Sequence, residues 1–107
     1  MPIVTVEYDD QVVSVKDIND LCSEIQHIVS TTTQIEDVPV YGRSAAIRVK
    51  SAPIEIFVQI SSHKIKNLDS LMLEIKQKLA DWKAMHSFKH PINLTIIPMN
   101  WKFEIGI

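Results

Sequence analysis

Residues 53–60 read PIEIFVQI, and the way this stretch is taken decides the fold. Ile54, Ile56, Val58 and Ile60 alternate with Glu55, Phe57 and Gln59, the period of a strand with one buried face. Pro53 has no N–H to give to a ladder, so it belongs just before that strand. Downstream the period changes. Leu68, Leu71, Met72, Ile75, Leu79 and Trp82 fall on one helical stripe, with Glu74, Lys76, Lys78 and Lys83 elsewhere. Asn67 is placed to cap that helix, and Asp69 suits the positive end of its dipole. Residues 91–98, PINLTIIP, return to a strand pattern. The unit is strand, helix, strand.

Toward the N-terminus the same order appears once more. Ile3 to Tyr8 is rich in β-branched residues and reads as a strand. A polar turn at Asp9, Asp10 and Gln11 leads to Ile18, Leu21, Cys22, Ile25, Ile28 and Val29, the apolar stripe of an amphipathic helix. Ser14 with Asp17 three residues later resembles a capping box. The second strand of this half is expected at Ser44 to Lys50, SAAIRVK, after a long connection from Thr31 to Gly42 that reads as a lid or as irregular packing. Adding 50 takes Ile18, Leu21, Cys22, Ile25 and Val29 onto Leu68, Leu71, Met72, Ile75 and Leu79. Adding 51 takes Pro2-Ile3 onto Pro53-Ile54. These matches predict an internal repeat, about 2–50 and 53–107, within one domain spanning 1–107.

The expected class is α+β: two β-α-β repeats with parallel crossovers, giving a four-stranded mixed sheet with two helices on one face. The other face is not cleanly polar, because Phe57 lies there if Ile54, Ile56, Val58 and Ile60 face the helices. The terminal WKFEIGI alternates Trp101, Phe103, Ile105 and Ile107 with Lys102, Glu104 and Gly106. This predicts a C-terminal edge strand, and an apolar edge of that kind is expected to be covered by a neighbouring subunit.

Composition narrows the class of function. With 107 residues, 46% of them hydrophobic and 22% charged, the chain can bury a core without staples. A net charge of −2 gives no basis for binding a polyanion, and IEIFVQI lacks the aromatic and basic residues of an RNA-reading sheet. No nucleic-acid partner and no membrane span is expected, since no apolar run approaches about 18 residues. The single Cys22 fits a reducing cytoplasm, and its place on the helical stripe marks it as core rather than nucleophile. Gly42 and Gly106 are the only glycines, so there is no phosphate loop. His86 and His90 are four residues apart but stand beside Pro91 with no evident third ligand. Neither cofactor nor metal is expected.

The doubled β-α-β unit, the MPIVTVEY start, IEIFVQISSHKI leading into the second helix, and NLTIIPMNW near the end together resemble the tautomerase superfamily. VPVYGRSAAIRV is similar to an arginine-containing strand region of its 5-carboxymethyl-2-hydroxymuconate isomerases. The resemblance covers essentially the whole chain. It implies a homotrimer with sites between subunits, acting on small carboxylic acids through an amino-terminal proline.

Pro2 matches that position. Once Met1 is removed it carries a secondary amine, and burial in apolar surroundings lowers the pKa of such an amine by penalising the cation. A carboxylate substrate also needs a cation with fork geometry. Arg43 and Arg48 are the only arginines, and both are expected as substrate-binding residues, although each also reads as an ordinary surface charge. Residues 9–29 hold only Lys16 as a cation, so the first-helix arginine of the 4-oxalocrotonate tautomerases has no counterpart. Tyr41 as a hydroxyl donor, Ser62 after the strand, and Asn100 with Trp101 complete the candidate site. Tyr41 also reads as a loop anchor, and Trp101 as an interface plug. The competing expectation is a ferredoxin-like binding or assembly domain without catalysis, or an inactive relative that keeps the proline for structural reasons.

Overall fold

The computed structural model describes residues 2–107. The elements are β1 (Ile3–Tyr8), α1 (Val15–Thr33), β2 (Val40–Ser44), β3 (Ile54–Ser61), a 3-10 turn at Ser62–Lys64, α2 (Leu68–Met85) and β4 (Ile92–Met99). They form one mixed sheet of order β2-β1-β3-β4. β1 is parallel to β2, β3 is parallel to β4, and the two central strands are antiparallel. This is the doubled β-α-β arrangement that the repeat implies.

Both helices start where their caps place them. The Ser14 hydroxyl accepts from the Asp17 N–H at 3.1 Å, and the Asn67 side chain accepts from the Ser70 N–H at 2.9 Å. Each satisfies an amide that the helix leaves unpaired. α1 ends at Gln34 in the left-handed region, φ 58°, where its N–H reaches the Ser30 carbonyl. From α1 the stripe Ile18, Leu21, Ile25, Ile28 and Val29 is buried, and from α2 Ile75 and Leu79. They pack on Val4, Val6, Ile54, Ile56 and Val58, the inward row of the two central strands.

The structure rules out the frame of 51 for the strands. Val4 and Val6 are buried while Ile3 and Thr5 are half-exposed; Ile54 and Ile56 are buried while Glu55 and Phe57 are half-exposed. A shift of 51 would invert this alternation, because one residue of slip moves every side chain to the other face. Pro2 therefore does not correspond to Pro53. Pro53 lies at the opposite end of the sheet, its carbonyl accepting from the Asp9 N–H at 2.9 Å.

Two expected strands require correction. The second strand is Val40–Ser44, not Ser44 to Lys50. Pro39 obscures the pattern in VPVY, yet it costs little there: it stands just before an edge strand, and its carbonyl accepts from the Val4 N–H at 3.0 Å. Val38 is buried, whereas Ile47 and Val49 are over 80% exposed. Since α1 runs to Thr33 and β2 starts at Val40, the expected long connection is a short one. The C-terminal edge strand is also absent within the subunit, for residues 101–107 pair with no strand. Asn100 alone separates β4 from Trp101, too short a link for a hairpin back along β4. Phe103, Ile105 and Ile107 are left exposed.

Gly42 sets how closely β2 approaches α1. A Cβ at this position would lie 3.3 Å from Cys22 Sγ and 3.5 Å from Ile18 Cγ2. The half-buried Cys22 packs against the core, and burial pushes its thiol pKa above the ordinary range. Its expected core role fits this setting. No helix among the described residues is long and apolar enough to cross a membrane.

Candidate active site

Alternation along β1 puts Pro2 in the same helix-facing row as Val4 and Val6, and Pro2 is buried. Ile3 pairs with Gln59, so the register extended by one residue sets Pro2 beside Ile60, which itself pairs with Pro98. Since β3 and β4 both run toward this end, their last residues gather around the head of β1.

A polar rim continues from them. Ser61, buried, pairs in register with Met99. Its Oγ is 2.9 Å from His63 Nδ1. Ser62 follows in the 3-10 turn and donates its hydroxyl proton to Asn100 Oδ1 at 2.8 Å, tying the end of β3 to the end of β4. Trp101 comes next, its indole Nε1 buried with no hydrogen-bond partner. Of the expected site residues, Pro2, Ser62, Asn100 and Trp101 thus share one end of the sheet.

Two adjoining hollows open at this rim. One, of about 290 Å³, is lined by Ser61, His63, Asn100, Trp101 and Lys102. The other, of about 420 Å³, shares Ser61, His63, Trp101 and Lys102 and adds Lys64, Phe103 and Glu104. A larger hollow of about 700 Å³ lies between the start of α1 and the end of α2, remote from Pro2. There Trp82 stacks on His86, Phe88 meets Trp82 at a tilt and His90 edge-on, and the cluster packs against the C-terminus of α2.

The arginines are elsewhere. Arg43 pairs in register with Glu7, beside Glu55 in the same row, on the face away from the helices. Five residues along β1 from Pro2, it stands ~17 Å away within one subunit. Arg48 is further off, and its guanidinium is engaged: Nη1 donates to the Tyr8 carbonyl and Nη2 to the Ala52 carbonyl, both at 2.8 Å. Tyr41 is exposed on the edge strand, paired with Thr5.

His63 and Lys102 at the Pro2 end escape a sequence reading. Only the antiparallel pairing of β1 with β3 brings SSHK next to the first residues, and no local motif announces that pairing.

No family model and no curated protein matches the sequence. Solved structures do, and the fold is similar to that of tautomerase-superfamily structures. A fused 4-OT, described as an asymmetric trimer, aligns at TM-score 0.67 with 14% identity, over 97% of this chain and 92% of its own. MIF2 of Leishmania major gives 0.65 and 13%, over 99% and 95%. Pt0534 inactivated by 2-oxo-3-pentynoate gives 0.65 and 10%, over 99% and 93%.

Proposed function

We propose that the chain is a cofactor-independent, tautomerase- or isomerase-like enzyme of the cytoplasm that moves a proton on a small enol, keto or unsaturated carboxylic acid. Pro2 is the general base and acid once Met1 is removed. The observation that carries this reading is the burial of Pro2 at the head of a central strand, between an apolar row and a polar rim. Apolar surroundings disfavour the prolyl cation, so the amine is held neutral and able to accept a proton. It takes the proton from the enol oxygen and returns one to the alkene carbon next to the enol carbon: the O–H pair becomes the π bond of the carbonyl, the C=C π pair becomes the new C–H bond, and nothing is oxidised.

In this reading Ser62, Asn100 and Trp101 shape the entrance. Arg43, and Tyr41 beside it on the edge strand, serve such a site only across a subunit boundary. A homotrimer supplies one, with the apolar tail Phe103, Ile105 and Ile107 lying on a neighbouring subunit. The fold of the structural neighbours supports the class of chemistry.

The test is ketonisation of phenylenolpyruvate, followed by absorbance, for wild type and Pro2→Ala. The expected outcome is a fall in kcat/KM of about 100-fold, the size of a general-base contribution. Equal rates, or no turnover above buffer, would favour a binding or assembly domain.

A further inference from the structure

A carboxylate next to Pro2 needs a cation, and within one subunit neither arginine is placed to provide it. Arg48 is held by two backbone carbonyls, and Arg43 belongs to a row with Glu7 and Glu55 at the far end of β1. The cations that line the hollows at the Pro2 end are Lys64 and Lys102, with His63 between them and the buried Ser61. Among the described residues neither lysine takes part in an ion pair. One acid, Glu104, shares the lining. Two ammonium groups against one carboxylate leave the hollow with an uncompensated positive charge.

We infer that Lys64, Lys102 and His63 form the subsite that receives the substrate carboxylate, in place of an arginine fork from the same subunit. The inference rests on the reading of Pro2 as the catalytic base and names the groups that orient its substrate. Each element has a physical reason. Lysines are point charges on flexible stems, so they hold a carboxylate less rigidly than an arginine fork, and one hollow can then accept acids of varied shape. His63 is steadier: its Nδ1 shares a 2.9 Å hydrogen bond with the Ser61 hydroxyl, which leaves Nε2 as the ring nitrogen available to a ligand. The indole of Trp101, which lines both hollows, suits a substrate with an aromatic or alkyl tail. Glu104 opposes binding, and its charge selects against dianions.

The experiment measures binding apart from turnover. Calorimetric titration with 3-phenylpropanoate, a carboxylate that cannot tautomerise, is carried out on wild type, the Lys64→Gln/Lys102→Gln double variant, Glu104→Gln and Pro2→Ala. KM for phenylenolpyruvate is measured in parallel. The double variant should weaken Kd and raise KM by about tenfold, the loss expected for a charge-assisted contact, while kcat changes by less than about threefold. Glu104→Gln should tighten Kd by about twofold to fivefold, as removal of a nearby like charge does. Lys64, Lys102 and Glu104 are at the surface while Pro2 is buried, and circular dichroism verifies the fold of every variant. Wild type that binds no 3-phenylpropanoate, or a double variant with unchanged Kd, overturns the subsite. Failure of the catalytic reading looks different: Pro2→Ala would then turn over like wild type, whatever the Kd values.

Discussion

Arg48 bridges two carbonyls that belong to different halves of the repeat, Tyr8 at the end of β1 and Ala52 just before β3, each at 2.8 Å. It draws residues 45–52 back over the sheet end and satisfies two backbone acceptors with a charged donor. Arg48→Ala should lower unfolding free energy by about 2–3 kcal/mol, since both acceptors lose a charged partner. Arg48→Lys should recover less than half of this, because an ammonium cannot copy the fork. Urea denaturation of the three proteins checks both outcomes. Wild-type stability in Arg48→Ala would show the bridge to be ornamental.

Gly42 and Cys22 are coupled by contact. Gly42→Val places carbon where Cys22 Sγ already crowds the Cβ position, and should cost about 1–3 kcal/mol. Cys22→Ala in the same chain vacates the sulfur and should return part of the loss, so a double-mutant cycle should show a coupling of at least about 0.5 kcal/mol. Strict additivity would mean that β2 shifts away from α1 instead.

Burial raises the Cys22 thiol pKa, which fixes the sign of its pH dependence. The unfolded thiol ionises near ~8.5, while the folded one stays protonated to higher pH, so above that range the native state binds more protons. This contribution to stability is complete below the unfolded pKa and is lost as pH rises through the folded one. Between about pH 8 and pH 10, wild type should lose stability more steeply than Cys22→Ala. Parallel slopes in guanidinium titrations across that range would contradict the assignment.

Gln34 ends α1 at φ 58°, a conformation that costs a side chain with a Cβ. Gln34→Gly should stabilise the chain by about 0.5 kcal/mol, the relief of strain exceeding the added freedom of the unfolded glycine. Thermal unfolding reads this as a small rise in Tm.

The exposed tail Phe103, Ile105 and Ile107 is expected to cover an edge of another subunit. Light scattering of the intact chain should give a trimer, and replacing all three residues with Ser should shift it toward monomer without melting the subunit. A monomeric wild type would remove the subunit boundary on which the reach of Arg43 depends.

Much of this fold is legible because local rules agree: Ser14 and Asn67 cap the helices, and the stripes on α1 and α2 repeat at 50 residues. What stays hidden depends on pairing between distant segments. Pro39 disguised β2, because a proline reads as a strand breaker until the strand is known to be an edge. Pro2 and Pro53 looked equivalent in sequence, yet the burial phase separates them to opposite ends of the sheet. The arginines drew attention as the only forks in the chain. Their distance from Pro2 follows from the β1–β2 register, which nothing local encodes.

General-base catalysis by Pro2 requires its nitrogen to be a free amine, and one mass-spectrometric measurement tests that. The untagged protein is weighed intact, treated with 2-oxo-3-pentynoate, weighed again and mapped by peptide fragmentation. The expected chain lacks Met1 and gains one reagent mass, localised to the nitrogen of Pro2, with parallel loss of phenylenolpyruvate ketonisation. A chain that retains Met1, or a label found only on lysine or Cys22, would contradict it.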